Sequence, residues 1–143
     1  MISITSSENK KIYFASDQHL GAPTLAASLP REKKFVAWLD EIKKDAAAIF
    51  LLGDLFDFWF EYKTVVPKGF VRVLGKLAEI RDAGIPIYFF VGNHDLWMQD
   101  YFEKELQIQI FHAPQEFLLN DKKFLIGHGD GLGPGDMGYK RMK

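Results

Sequence analysis

Four times along this chain a short apolar run of strand length ends at once in a cluster of polar residues. The runs are "KIYFAS" (11–16), "AAIFLLG" (47–53), "IPIYFFVG" (85–92) and "KKFLIG" (122–127). They are rich in isoleucine, phenylalanine, tyrosine and valine, and their near-continuous apolarity predicts strands buried on both faces. Helical spacing fills the gaps between them. "PREKKFVAWLDEIKKDA" sets Phe35, Leu39 and Ile42 on one stripe with Pro30 near the first turn. "KGFVRVLGKLAEIRDAGIP" repeats the pattern with Phe70, Val73, Leu77 and Ile80 and stops at Gly84 and Pro86. A shorter helix is expected through "DYFEKEL". Strands alternating with helices predict βαβ units and an α/β fold with a parallel sheet. Beyond the third run, "EFLLNDKKFLIG" reads as two strands around an Asn120-Asp121 turn, which makes the expected sheet mixed.

At 143 residues, 48% of them hydrophobic, the chain has material for one ordinary core, so a single domain over 1–143 is expected. The formal charge is −1, and no lysine or arginine block is long enough to neutralise many phosphates of a duplex. Nucleic acid is therefore not the expected partner. The absence of cysteine removes disulfides and thiolate metal sites, leaving histidine, carboxylate, amide and water as ligands. The opening "MISITSSENKK" has no apolar core of a leader, and no window approaches the roughly 20 apolar residues that span a bilayer. A cytoplasmic location is the default expectation.

The clusters that end the four runs are "SDQHLG", "GDLFDFW", "GNHDLW" and "GHGDG". Alone, an Asp-x-His is most often a turn or a helix cap, and "GNHD" a strand-to-loop turn. Together they are more telling, because ligands of open α/β sheets bind beyond the carboxyl ends of the strands. Asp17, His19, Asp54, Asn93, His94, Asp95, His128 and Asp130 are then brought to one place. Their oxygen and imidazole donors suit Mn²⁺, Fe²⁺, Zn²⁺ or Co²⁺, and the histidines point away from magnesium and calcium. Asp17 and His19, two apart in extended backbone, project to one side and chelate one ion. Asp54, with two oxygens, can bridge two ions; Asn93 adds a neutral oxygen and His128 an imidazole. Two ions roughly 3.5–4 Å apart clamp the oxygens of a phosphoryl group during in-line attack, so hydrolysis of a phosphate ester or anhydride is the expected chemistry.

The ordered series Asp17-x-His19, Gly53-Asp54-x-x-Asp57, Gly92-Asn93-His94-Asp95 and Gly127-His128-Gly129-Asp130 resembles the calcineurin-like metallophosphoesterases. The resemblance implies the N-terminal part of a four-layer αββα sandwich. It also implies two divalent ions, manganese first among them: one on Asp17, His19 and Asp54, the other on Asp54, Asn93 and His128. His94 would stand beside the leaving group as a general acid, with Asp95 orienting it. "GDLFDFW" and "GPGDMGY" are similar to the branch that cleaves UDP-2,3-diacylglucosamine in lipid A synthesis. There an aromatic at the position of Trp59 lines the approach, and residues at the positions of Asp136 and Tyr139 contact the substrate. Well-known members of that branch carry arginine where this chain has His94, the commoner choice of general phosphoesterases.

The resemblance leaves three functions open: the lipid-nucleotide pyrophosphohydrolase, a general metallophosphatase or phosphodiesterase acting on nucleotides or phosphoproteins, and a phosphoesterase fold used as a non-catalytic interaction module. The expected partner is a phosphorylated small molecule or lipid nucleotide, with peripheral membrane contact for the lipid case. Oligomeric state is not legible. The family's final Gly-His-x-His motif and helical insertion have no counterpart after His128, so the chain is expected to be the N-terminal part of a longer protein or a truncated product. Of the aromatic run Phe56, Phe58, Trp59, Phe60 and Tyr62, several rings are expected to be exposed, since sequence neighbours cannot all face inward. His112 stands alone and is expected to be a surface residue. The glycines of "GLGPGDMGY" are read as a shaped turn delivering Asp136 and Tyr139, and "KRMK" as the start of a helix.

Overall fold

The computed structural model describes residues 1–130; Asp136, Tyr139, the "GLGPGDMGY" turn and the "KRMK" helix start lie outside the described residues. Elements follow in the order β1 (Ile2–Ile4), β2 (Lys11–Ala15), α1 (Leu25–Ile42), β3 (Ala46–Leu51), α2 (Val71–Asp82), β4 (Ile87–Phe90), α3 (Tyr101–Leu106), β5 (Gln109–Phe111), β6 (Gln115–Leu119) and β7 (Lys122–Ile126). Strands β2 to β5 form one parallel sheet in sequence order. When strand order is monotonic and every crossover is right-handed, all the intervening helices fall on one face. The packing follows that rule. Ile49, Leu51, Ile87 and Phe89 join Phe35, Leu39 and Ile42 of α1, Val73, Leu77 and Ile80 of α2, and Phe102 and Leu106 of α3 in one core.

Side chains one residue out of phase face the other way. Ala48, Phe50 and Phe90 pack against Phe117, Leu119 and Ile126 of a second, three-stranded sheet in the order β1-β6-β7. Here β1 runs parallel to β6, and β6 pairs antiparallel with β7 around Asn120-Asp121. The layers are therefore helix, sheet, sheet. This is a mixed α/β arrangement of sheets flanked by helices, consistent with the N-terminal part of the expected sandwich. The two β layers of the sandwich are both present, and the mixed pairing lies in the second, which the hairpin begins and β1 joins.

Three local expectations change. Pro30 lies inside α1, because the helix starts earlier, at Leu25, where Thr24 Oγ1 accepts from the Ala27 N–H at 3.1 Å. A strong N-cap moves the start back, and the proline forfeits one hydrogen bond within the helix. Burial on both faces holds for β3 and β4 but not for β2 or β7. β2 is an edge strand whose Phe14 is 43% exposed while stacked on Phe50, and in β7 Leu125 is 75% exposed. Among the described residues no helix is long and apolar enough to cross a membrane.

Two buried acids tie the helices in place. Glu32 of α1 accepts from the Val73 N–H at 3.1 Å, capping the first turn of α2. Glu61 accepts from Trp59 Nε1 (2.9 Å) and from the N–H groups of Gln99 and Tyr101 (3.0 and 3.1 Å), the latter opening α3. Both satisfy helix-start donors that have no partner within the helix.

Phe50 is the hinge between the two sheets, fully buried and edge-on to Phe117 at 5.0 Å. Phe50→Ala is expected to destabilise the fold by about 3–5 kcal/mol in urea unfolding. A loss below about 1 kcal/mol would show that the sheets are not held by this contact.

Candidate metal centre

Every predicted ligand sits just past a strand end, and the loops that carry them are stitched together by the backbone. The Asp17 N–H donates to the Gly53 carbonyl (3.0 Å), the His19 N–H to the Asp54 carbonyl (2.9 Å), and the Leu20 N–H to the Leu55 carbonyl (2.9 Å). The chains after β2 and β3 thus stay paired beyond their strands, though not in extended form. Asp17, His19 and Asp54 all have positive φ, at 63°, 47° and 54°. This corrects the extended-backbone argument for Asp17 and His19. Each such conformation costs a non-glycine residue about 1–2 kcal/mol and persists only where its surroundings over-determine it. His19 Nε2 still lies 3.6 Å from Asp17 Oδ1, because the left-handed turns bring the two side chains together by another route.

Glycine makes the close approach possible. Gly53, at φ 92°, and Gly92 lie back to back. A Cβ on Gly53 would collide with His128 Nδ1 and the Gly92 backbone, and one on Gly92 with the Asp54 carboxylate. The Gly92 Cβ would also meet the Asp54 backbone nitrogen at 2.6 Å, so backbone stands in the way at both positions and cannot yield.

The proton pattern of the histidines shows what the centre suits. His128 Nδ1 lies 2.6 Å from the Leu52 carbonyl, which can only accept, so Nδ1 carries the hydrogen. In the neutral imidazole Nε2 is then a lone pair, facing Asp54 Oδ2 at 3.4 Å and Asn93 Oδ1 at 3.2 Å. His19 repeats the arrangement. Its Nδ1 donates to Asp57 Oδ1 (3.3 Å), and its Nε2 faces Asp17 Oδ1 and Asp54 Oδ2, each at 3.6 Å. Lone pairs converging without a proton between them repel one another unless a cation joins them. Among the described residues, no lysine or arginine forms an ion pair with Asp17, Asp54 or Asp57. The donor set thus fits divalent cations held by imidazole and carboxylate, with each ring fixed by a hydrogen bond on its far nitrogen.

Two groups of ligand atoms lie within 4.8 Å of one another: His19, Asp54 and His94, and Asp17, Asp54 and His128. Asp54 belongs to both. Its Oδ1 accepts from the His94 N–H at 2.9 Å, so Oδ2 alone faces both His19 and His128. A bridge between two ions would then run through Oδ2, where the sequence suggested both oxygens. Asp17 groups with Asp54 and His128 and also lies 3.6 Å from His19, whereas the expected set placed it with His19 and Asp54.

Two site assignments are corrected. Asp95 does not orient His94. It is fully buried, and its carboxylate accepts from the N–H groups of Gly92 (2.7 Å), Asp54 (3.2 Å), Leu55 (3.0 Å) and Phe56 (3.4 Å). It shapes the Asp54 turn. Burial pushes its carboxyl up to about 6, against the opposing pull of the backbone donors. Asp57 meets His94 instead: His94 Nδ1 donates to the Asp57 carbonyl at 3.0 Å, with Asp57 Oδ1 at 3.3 Å. Asp57 stood in the "GDLFD" motif without a role, and a carboxylate three residues past a ligand was the signal available.

Trp59 is the second correction. It is fully buried, stacked on Phe56 at 4.5 Å with its Nε1–H on Glu61, and lines no approach. The exposed rings of the run are Phe58, Phe60 and Tyr62, and Phe58 packs beside Trp97 at 5.9 Å. Phe58 also lines a cavity of about 320 Å³ with Asp57, Leu20, Leu25, Lys68 and Phe70. His112 is exposed, as its isolation suggested.

Comparison with known proteins agrees with this geometry. The calcineurin-like phosphoesterase family matches residues 10–139, and the chain belongs to that family. It is a family of divalent-metal-dependent hydrolases, and the chain carries the corresponding ligand groups. Among curated relatives, the UDP-2,3-diacylglucosamine hydrolase of Porphyromonas gingivalis (strain ATCC BAA-308 / W83) is 48% identical over 120 residues, covering 84% of this chain and 46% of the relative. The UDP-2,3-diacylglucosamine hydrolase of Haemophilus influenzae (strain PittGG) is 33% identical over 139 residues, covering 94% and 54%. That of Proteus mirabilis (strain HI4320) is 31% identical, covering 91% and 52%. The chain thus spans about half the length of these relatives.

The two aspartates are expected to separate in mutation. Asp95→Asn turns an amide N–H₂ toward buried N–H donors and is expected to cost at least about 2 kcal/mol of stability. Asp57, 40% exposed, is expected to tolerate Asp57→Asn within about 1 kcal/mol while activity falls. Equal losses of stability in urea would contradict the division of roles. Gly92→Ala is expected to displace the Asp54 carboxylate and abolish Mn²⁺ binding in calorimetric titration; unchanged binding would contradict the steric argument.

Proposed function

We propose that this chain carries the metal-bearing part of a two-metal pyrophosphohydrolase that cleaves UDP-2,3-diacylglucosamine to UMP and 2,3-diacylglucosamine 1-phosphate. The observation that carries the hydrolytic reading is the convergence of His19 and His128 on one oxygen of Asp54. The choice of substrate is supported by the names of the relatives. Asp17, His19 and Asp54 would hold one ion, and Asp54, Asn93 and His128 the other, with Mn²⁺ as the preferred metal. Bound divalent ions supply Lewis-acid polarisation of phosphoryl oxygens and lower the pKa of water.

The rest is the work of the chain's own side chains. His94 is the general acid: Asp57 accepts at Nδ1, which leaves Nε2 to hand a proton to the departing phosphate oxygen. The ring is 42% exposed, so a substrate can reach it. Phe58 and Trp97 supply an apolar surface beside the site, suited to the acyl chains. Asp136 and Tyr139 are carried into the proposal as contacts to the glucosamine and uridine parts. The setting proposed is the cytoplasm, with the protein resting peripherally on the membrane that holds its lipid substrate.

His94 also favours a second reading, a general phosphoesterase acting on simpler esters, because the lipid-specific branch carries arginine there. The full-length protein loaded with Mn²⁺ separates the two when assayed on UDP-2,3-diacylglucosamine and on p-nitrophenyl phosphate. Turnover of the lipid with little of the aryl ester is expected; the reverse would overturn the lipid assignment. His94→Ala is expected to lower kcat by about 10²–10⁴-fold while two Mn²⁺ remain bound. A fall to one ion would make His94 a ligand instead of the acid.

A further inference from the structure

The loop that carries Asp17 and His19 is fastened by one side chain that belongs to neither motif. Arg31 lies in the second turn of α1. Its Nε donates to the Gln18 carbonyl, and its Nη2 to the carbonyls of His19 and Ala22, each at 2.7 Å. One turn earlier on the same helix, buried Ser28 accepts from the Gly21 N–H at 2.9 Å. Residues three apart share a helix face, so α1 presents two anchors to one loop. The planar guanidinium fork reaches three carbonyls at once, which the single ammonium of lysine cannot reproduce.

This loop needs such an anchor. Both of its ligands are in left-handed backbone, and Asp17, Asp54 and Asp57 gather three negative charges around His19. Strained turns that bring carboxylates from two loops together open unless their surroundings hold them. Arg31 holds the backbone between and beyond the two ligands and sets a positive charge against the carbonyl of His19 itself.

The geometry points to Arg31 as a positioning residue of the metal centre, one that fixes Asp17 and His19 in ligating geometry without touching metal or substrate. The inference rests on the metal-centre reading above. It predicts that Arg31 acts on metal affinity more than on folding.

The test is calorimetric titration of the full-length protein with Mn²⁺, using the wild type, Arg31→Met, Arg31→Lys and Asp54→Asn, together with thermal melts of the metal-free proteins. Arg31→Met is expected to weaken Mn²⁺ binding about 10–100-fold, the usual effect of losing a group that orients ligands. kcat should fall with little change in KM, and Arg31→Lys should recover part of the affinity. Wild-type affinity in Arg31→Met, whether or not its melting temperature falls, would overturn the proposal and leave the metal centre standing. Absence of Mn²⁺ binding in the wild type, or equal binding in Asp54→Asn, would overturn the metal centre itself and the role of Arg31 with it.

Discussion

The site depends on a single carboxylate oxygen. Asp54 Oδ2 faces the Nε2 atoms of two histidines that arrive from different sheets, His19 after β2 and His128 after β7. That meeting is why the two sheets must stack with their strand ends aligned. Phe50 and Phe117, buried between the sheets, act at a distance from the chemistry yet set where His128 ends. The carboxylate is in turn aimed by its own backbone: Gly53 and Gly92 give it room, and Asp95 gathers the N–H groups of the turn that carries it. Fold and site are therefore one structure seen at two scales.

Hydrogen bonds at Nδ1 control the tautomers of the site's histidines. Each of His19, His94 and His128 has its Nδ1 beside an oxygen acceptor, and in each case the acceptor comes from the loop after β3 or from the end of that strand. Leu52 and Asp57 supply those acceptors. A metal ligand whose second nitrogen is engaged has a fixed ring plane and a fixed lone pair, so little reorganisation accompanies binding. The chain after β3 thus positions all three rings.

Much of this was legible in the sequence, and the limits have physical reasons. Strands β3 and β4 were visible because buried strands demand unbroken apolar runs, β2 and the β6–β7 hairpin because their runs are apolar as well, and the ligands because they end those runs. Two strands were not: β1, which joins the hairpin in the second sheet, and β5, at the edge of the first, have only three residues each, too few for a periodic signal. The exposure of β2 and β7 was hidden because apolarity reports chemistry and not sheet position. Asp95 was paired with His94 by resemblance, but a neighbour on a turn projects elsewhere, and the oxygen beside His94 Nδ1 comes from Asp57 on the loop after β3. Trp59 was placed in the approach by resemblance, but the alternation of the run buries it and exposes Phe58. Arg31 carried no signal, since an arginine on a charged helix face looks like any other until the loop lies beside it.

The claim that one oxygen of Asp54 is shared by two cations is tested most directly by anomalous diffraction at the manganese edge from crystals of the full-length protein grown with Mn²⁺. Two peaks are expected flanking Asp54 Oδ2, one within ligand distance of His19 Nε2 and the other of His128 Nε2, roughly 3.5–4 Å apart. A single peak, or two peaks of which only one lies within reach of Asp54, would contradict the account.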